Sequence, residues 1–89
     1  MFARVITAQA EPHGLDGVVD LFRQQLPGAR QQPGFDGFFL LTDAETGKVV
    51  IISLWQTREQ MPVGIRDPAV PVTWVTPPDL ETYEVTLHA

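Results

Sequence analysis

The chain opens on a run of β-branched and apolar residues, Phe2-Ala3-Arg4-Val5-Ile6-Thr7-Ala8, closed by Glu11-Pro12-His13-Gly14. That composition and punctuation predict a strand followed by a turn. From Leu15 the spacing changes: Leu15, Val18, Val19, Phe22 and Leu26 recur every three or four residues, with Asp16, Asp20, Arg23 and Gln24 between them. This is the pattern of an amphipathic helix. Pro27-Gly28 is expected to stop or kink it, with one further turn through Ala29 to Gln32 possible, because proline removes a donor and disfavours helix at the residue before it.

Pro33-Gly34 ends the helical region, and Phe35 to Leu41 is a second apolar run of strand length. Asp43-Ala44-Glu45-Thr46-Gly47 follows, with glycine where a hairpin loop commonly needs positive φ, so the flanking strands are predicted to be antiparallel neighbours. Val49-Val50-Ile51-Ile52-Ser53-Leu54-Trp55 is apolar at almost every position instead of every second one. Both faces of such a strand have to be covered. One helix covers one face of a sheet, and the chain has little left to cover the other, so a second copy of the chain is the expected cover.

After Trp55 the pattern weakens. One turn around Arg58 to Met61 is compatible with the sequence, but Pro62, Pro68, Pro71, Pro77 and Pro78 exclude a long helix between Met61 and Asp79. Residues 61–79 are read as an irregular proline-rich segment, non-helical and more mobile than the strands from Pro62 to Pro78, with a short extended stretch allowed at Ala69 to Val75. Thr82 to His88 alternates, with Tyr83, Val85 and Leu87 on one side, and is read as an edge strand. The order is β, α, β, β, irregular, β, in one domain spanning residues 1–89.

Length and composition sharpen this picture. With 89 residues and no cysteine, the chain buries only about 60–65% of its unfolded surface and has no disulfide or thiolate metal site to supplement its core. Self-association is the remaining support. Net charge is −5 and the six Lys and Arg residues are scattered, which argues against a nucleic-acid partner. Arg4 interrupts the only apolar run near the start, so no signal peptide is expected there, and no stretch is long enough for a membrane span. A cytoplasmic location is the default expectation.

Four groups of residues, taken in order, resemble the antibiotic biosynthesis monooxygenase-like family: Pro33-Gly34-Phe35, Thr42 to Gly47, Leu54-Trp55-Gln56-Thr57-Arg58-Glu59 and Tyr83-Glu84-Val85. The resemblance implies an α+β, ferredoxin-like antiparallel sheet that forms a dimeric α+β barrel, with a ligand cleft between sheet and helices in each protomer. Functions in that family are diverse, including cofactor-free oxidation of polyketide phenols and heme degradation, so fold transfers better than activity. Two departures stand out. The family's second helix, after the tryptophan, is shortened or missing here, replaced by the proline-rich segment. The cofactor-free monooxygenases place an asparagine four residues before that tryptophan, where this chain has Ile51, and the heme degraders use a histidine from the second helix, which this chain lacks between His13 and His88.

On that resemblance Trp55 is the principal ligand-binding candidate, offering an aromatic wall and an indole N–H, although a core tryptophan at a strand end explains it as well. Ile51 and Ser53 share its face by alternation, and Ser53 is the nearest polar group. Tyr83 and Thr7 are candidate hydrogen-bond donors from neighbouring strands. For catalysis the candidates are His13, near the strand-to-helix junction, and Ser53. Neither histidine has a carboxylate at metal-ligand spacing, so no metal and no cofactor is expected. The expected function is cofactor-independent, monooxygenase-like action on a small planar phenolic or polyketide-like substrate. The alternative is a non-catalytic homodimeric module that binds a small aromatic ligand or serves as a scaffold.

Overall fold

A computed structural model describes residues 1–61 and 74–89. Strand β1 (Phe2–Gln9) leads through a single 3-10 turn, Pro12–Gly14, into helix α1 (Leu15–Arg30), and then come β2 (Phe35–Thr42), β3 (Lys48–Trp55) and β4 (Thr76–Glu84). The four strands form one sheet in the order β2-β3-β1-β4, every neighbouring pair antiparallel. This is the ferredoxin-like α+β arrangement.

The helix lies on one face of the sheet because its apolar stripe has only that face to meet. Leu15 and Val18 are buried against Ile6, Ala8, Val49 and Ile51, with Phe22, Phe38, Leu40, Trp74 and Leu80 packed around them. Helix α1 runs through Pro27 to Arg30 and does not stop there. The proline sits in the last turn, where its missing N–H removes a single intrahelical bond on an exposed side. The β2–β3 hairpin closes as its sequence predicts: Gly47 has φ +81°, its N–H donates to the Asp43 carbonyl at 2.8 Å, and the Glu45 N–H donates to the Asp43 carboxylate at 2.9 Å.

The end of the chain departs from expectation. The last strand spans Thr76–Glu84, not Thr82 to His88, so residues 76–79, read as part of the irregular segment, belong to the strand. Pairing explains both limits. β4 hydrogen-bonds only to β1, whose first residue, Phe2, faces Glu84, so beyond Glu84 the ladder has no partner apart from the Val85 N–H donating to the Met1 carbonyl at 2.9 Å. At the other limit Pro77 and Pro78 fall where the register shifts between Thr7 and Gln9. An edge strand with an irregular pairing is the place in a sheet that tolerates residues without an N–H. Trp74 packs on the core, and the Val75 N–H donates to the Gln9 carbonyl at 2.7 Å. After Trp55 a turn closes from the Met61 N–H to the Arg58 carbonyl at 3.2 Å. The mobility expected from Pro62, the extended stretch from Ala69 and the loss of the second helix concern residues 62–73, which lie outside the described residues.

β3 is covered on one face within the chain. Val49, Ile51, Ser53 and Trp55 are buried towards α1, whereas Val50, Ile52 and Leu54 on the reverse are half-buried.

Candidate functional site

Register places every candidate residue except His13 in a rung across the sheet. On the face towards α1, Phe35, Trp55, Phe2 and Glu84 form the rung at one end; Phe38, Ser53, Arg4 and Thr82 the next; Leu40, Ile51, Ile6 and Leu80 the third. The end rung is aromatic. Phe35 meets Trp55 edge-on, with ring centroids 5.4 Å apart and planes at 84°, and the Arg58 guanidinium lies 5.2 Å from the centroid of the Phe2 ring. These are favourable quadrupole geometries. Behind it, Phe38 is tilted against Phe22 of α1 at 5.9 Å.

The second rung is polar within an otherwise apolar face. Ser53 is the only buried polar or charged residue among the described residues, at 8% exposure. Its hydroxyl accepts the Trp55 indole N–H at 2.9 Å. The indole donor that the sequence offered to a ligand is therefore used inside the protein, and the donor left at this rung is the Ser53 O–H, which a hydroxyl retains after accepting one bond. Trp55 itself is 3% exposed.

Arg4 is the residue that sequence reasoning missed. It was read as an interruption of an apolar run, yet its even position places it in line with Phe2, Ile6 and Ala8, and a single charge on the inward face of a strand is the available signal. Its side chain is half-buried and its Nε is sealed from solvent. Burial pulls its pKa below the ordinary arginine value, but a guanidinium remains charged throughout the physiological range.

The remaining candidates are not brought to Trp55. Thr7 faces Val50 and Tyr83 faces Ala3, both on the reverse of the sheet. Tyr83 is 51% exposed and donates its phenol hydrogen to Glu81 at 2.5 Å. That bond, followed by desolvation and the Glu81 charge, raises its pKa above 10.0, so the phenol is a donor and not a base at neutral pH. His13 is exposed in the 3-10 turn, beyond the Gln9 end of β1, whereas Trp55 pairs with Phe2 at the opposite end. The seven-residue length of strand between those ends is about 23 Å. His13 and Ser53 do not form a catalytic pair. Among the described residues no cluster of three His, Cys, Asp or Glu could hold a metal, and no helix is long and apolar enough to cross a membrane.

The sequence pattern of the antibiotic biosynthesis monooxygenase family matches residues 1–62 and so ends where the proline-rich segment begins. Among curated proteins no sequence matches the chain. Solved structures do. The heme-degrader MhuD of Mycobacterium tuberculosis, with two hemes bound in its active site, superposes with a TM-score of 0.75 at 19% identity, over 100% of this chain and 99% of that one. The Streptomyces coelicolor monooxygenase ActVA-Orf6 in complex with nanaomycin D gives 0.77 at 19% identity, over 99% and 89%. An antibiotic biosynthesis monooxygenase gives 0.75 at 18% identity, over 98% and 100%. At such identities the structural likeness carries the fold alone, and it is the sequence match over 1–62, joined to the ferredoxin-like topology, that makes this chain a member of the antibiotic biosynthesis monooxygenase family.

Proposed function

We propose that the chain is a cofactor-independent, monooxygenase-like protein that takes a small planar phenolic or polyketide-like substrate on the α1 side of its sheet, at the end marked by Trp55. The observation that carries this reading is the succession of rungs there: an aromatic rung of Phe35, Trp55 and Phe2, then a polar rung containing Ser53 and Arg4. A planar ring finds apolar edges in the first and donors to its oxygen in the second. The structural relatives whose bound molecules are heme and nanaomycin D support a planar ligand for this fold.

The chemistry asks the protein for little beyond binding. A phenol converted to a quinone surrenders four electrons to one O₂; one oxygen atom enters the ring and the other leaves as water. Deprotonation of the phenol raises the electron density that reduces oxygen, and donors fixed towards the phenolate stabilise it. Ser53 supplies such a donor. The protein acts as a homodimer in this reading, with the reverse faces of two sheets pressed together.

A second reading, a non-catalytic dimeric binding or scaffold module, is favoured by the burial of Trp55, by the use of its N–H within the chain and by Ile51 in the position the resemblance assigns to an asparagine. Turnover separates the two. Purified protein, with no added metal or cofactor, is incubated with 1,5-dihydroxynaphthalene while dissolved oxygen is recorded. The monooxygenase reading expects one O₂ consumed per hydroxyquinone formed, and Trp55→Phe weakening substrate binding several-fold, for about 0.5–1.5 kcal/mol of aromatic contact. Tight binding with oxygen uptake no faster than in buffer leaves the binding module as the function.

A further inference from the structure

We propose that Arg4 is a specificity-determining residue: it makes this site selective for planar aromatic anions, ring systems carrying a carboxylate or phenolate at one edge, over neutral rings of the same shape. The inference rests on the location of the ligand site given above and goes beyond it in naming the charge of the ligand.

The position of Arg4 carries the argument. It stands in the polar rung, directly across from Ser53, with Phe2 and Ile6 on either side of it along the same face of β1. A ring resting on the aromatic rung presents its far edge to that pair. The Ser53 O–H and the guanidinium fork then converge on one group, and a carboxylate or phenolate oxygen accepts from both, whereas an ester or ether oxygen accepts more weakly. Arg4 already engages another group of the protein, but a guanidinium carries five N–H donors, so the fork keeps capacity for a ligand oxygen, and a half-buried charge acts on an anion more strongly than one in water.

The wider charge distribution makes this a local effect. At a net charge of −5 the protein as a whole repels anions, so any preference for them originates at the site. Arg58, stacked over Phe2 in the adjacent rung, adds a second cation at this end. Glu84 pairs with Phe2 and shares the face; it opposes an anion and sets a limit on the preference, but it is exposed and its field is screened by water.

The test compares 3-hydroxy-2-naphthoate with its methyl ester, which keeps the ring and the phenol and loses the charge, by isothermal titration calorimetry on the full chain. The wild-type protein is expected to bind the naphthoate about tenfold tighter or more, the effect of a hydrogen bond to a charged group. Arg4→Gln is expected to bring the ratio close to one by weakening the naphthoate about tenfold more than the ester, a change in selectivity that a merely structural arginine, which would weaken both alike, would not produce. Arg4→Met, which keeps the apolar stem, takes its place if Arg4→Gln does not fold. Equal wild-type affinities for the two probes overturn the inference and leave the ligand site standing, as does an unchanged ratio in a folded Arg4 variant. Failure of the wild-type protein to bind either probe overturns both.

Discussion

Replacing Ile52 with glutamate is expected to turn the proposed homodimer into a folded monomer. On the reverse of the sheet the rungs read Gly37, Leu54, Ala3 and Tyr83; Phe39, Ile52, Val5 and Glu81; Leu41, Val50, Thr7 and Asp79. Ile52 sits at the middle of this surface, and Phe39 and Leu41 beside it are 52% and 49% exposed. An apolar sheet face of this kind marks an association surface; apart from Thr7 on β1, its polar and acidic groups lie on the β4 edge, where Glu81 already engages Tyr83. A second copy of the chain offers a matching surface by symmetry. Ile52 points away from α1, so the fold survives its replacement, while a two-fold interface places the substituted residue in both halves. Losing about 1.5–3 kcal/mol of side-chain burial per protomer and confining two unpaired carboxylates should weaken association by a factor of about 1,000 or more. Sedimentation velocity at micromolar concentration reads the outcome. A wild-type protein that is already a folded monomer, or a variant that remains a dimer, would remove the barrel arrangement.

Gly47→Ala is the substitution expected to cost the fold most. Gly47 has φ +81°, and a β-carbon there would stand 2.1 Å from the Ala10 carbonyl oxygen and 3.0 Å from the Pro12 nitrogen. Both obstacles are backbone, and the same glycine accepts the Ala10 N–H at 2.9 Å. Alanine pays about 1–2 kcal/mol for the left-handed backbone alone, and relieving the clash parts the hairpin from the end of β1, with about 1 kcal/mol for each hydrogen bond lost. A total of about 3 kcal/mol or more is a large share of the 5–15 kcal/mol typical of a domain, and lowers Tm by about 12 °C or more. Gly28→Ala in α1, where a β-carbon would meet nothing within 4 Å, is the control and should raise Tm slightly. Equal melting temperatures for Gly47→Ala and the wild type would show that the loop relaxes around the added carbon.

The elements that sequence reveals are those whose neighbours do not matter. The apolar stripe from Leu15 to Leu26 specifies α1 by its period, and the run from Val49 to Trp55 specifies β3 by its short length and β-branched residues. Gly47 announced its turn for the same local reason. β4 was misplaced because its identity depends on a partner: Thr76 to Asp79 holds two prolines and reads as a break until β1 supplies an edge with a register shift at that point. The faces of Thr7 and Tyr83 are likewise set by register, which a single strand does not disclose. In the sequence Arg4 interrupts an apolar run, and only the register shows it to be a charge on an inward face. Strand alternation puts Ser53 and Trp55 on one face but does not fix the indole's rotamer, so whether its N–H meets Ser53 or a ligand is legible only in the structure, where it donates to Ser53 at 2.9 Å.

In the function proposed, a planar ligand binds on the α1 face beside Trp55 and Ser53. Two adjacent isoleucines make that binding directly measurable, since Ile51 is buried towards α1 and Ile52 faces the reverse of the sheet. Nuclear magnetic resonance spectra of protein labelled at the isoleucine methyls and tryptophan indole nitrogens, titrated with 3-hydroxy-2-naphthoate, should show the Ile51 methyl and the Trp55 indole moving in parallel with saturation while the Ile52 methyl stays in place. Movement of Ile52 with Ile51 and Trp55 unmoved would put the ligand on the opposite face of the sheet and contradict the account.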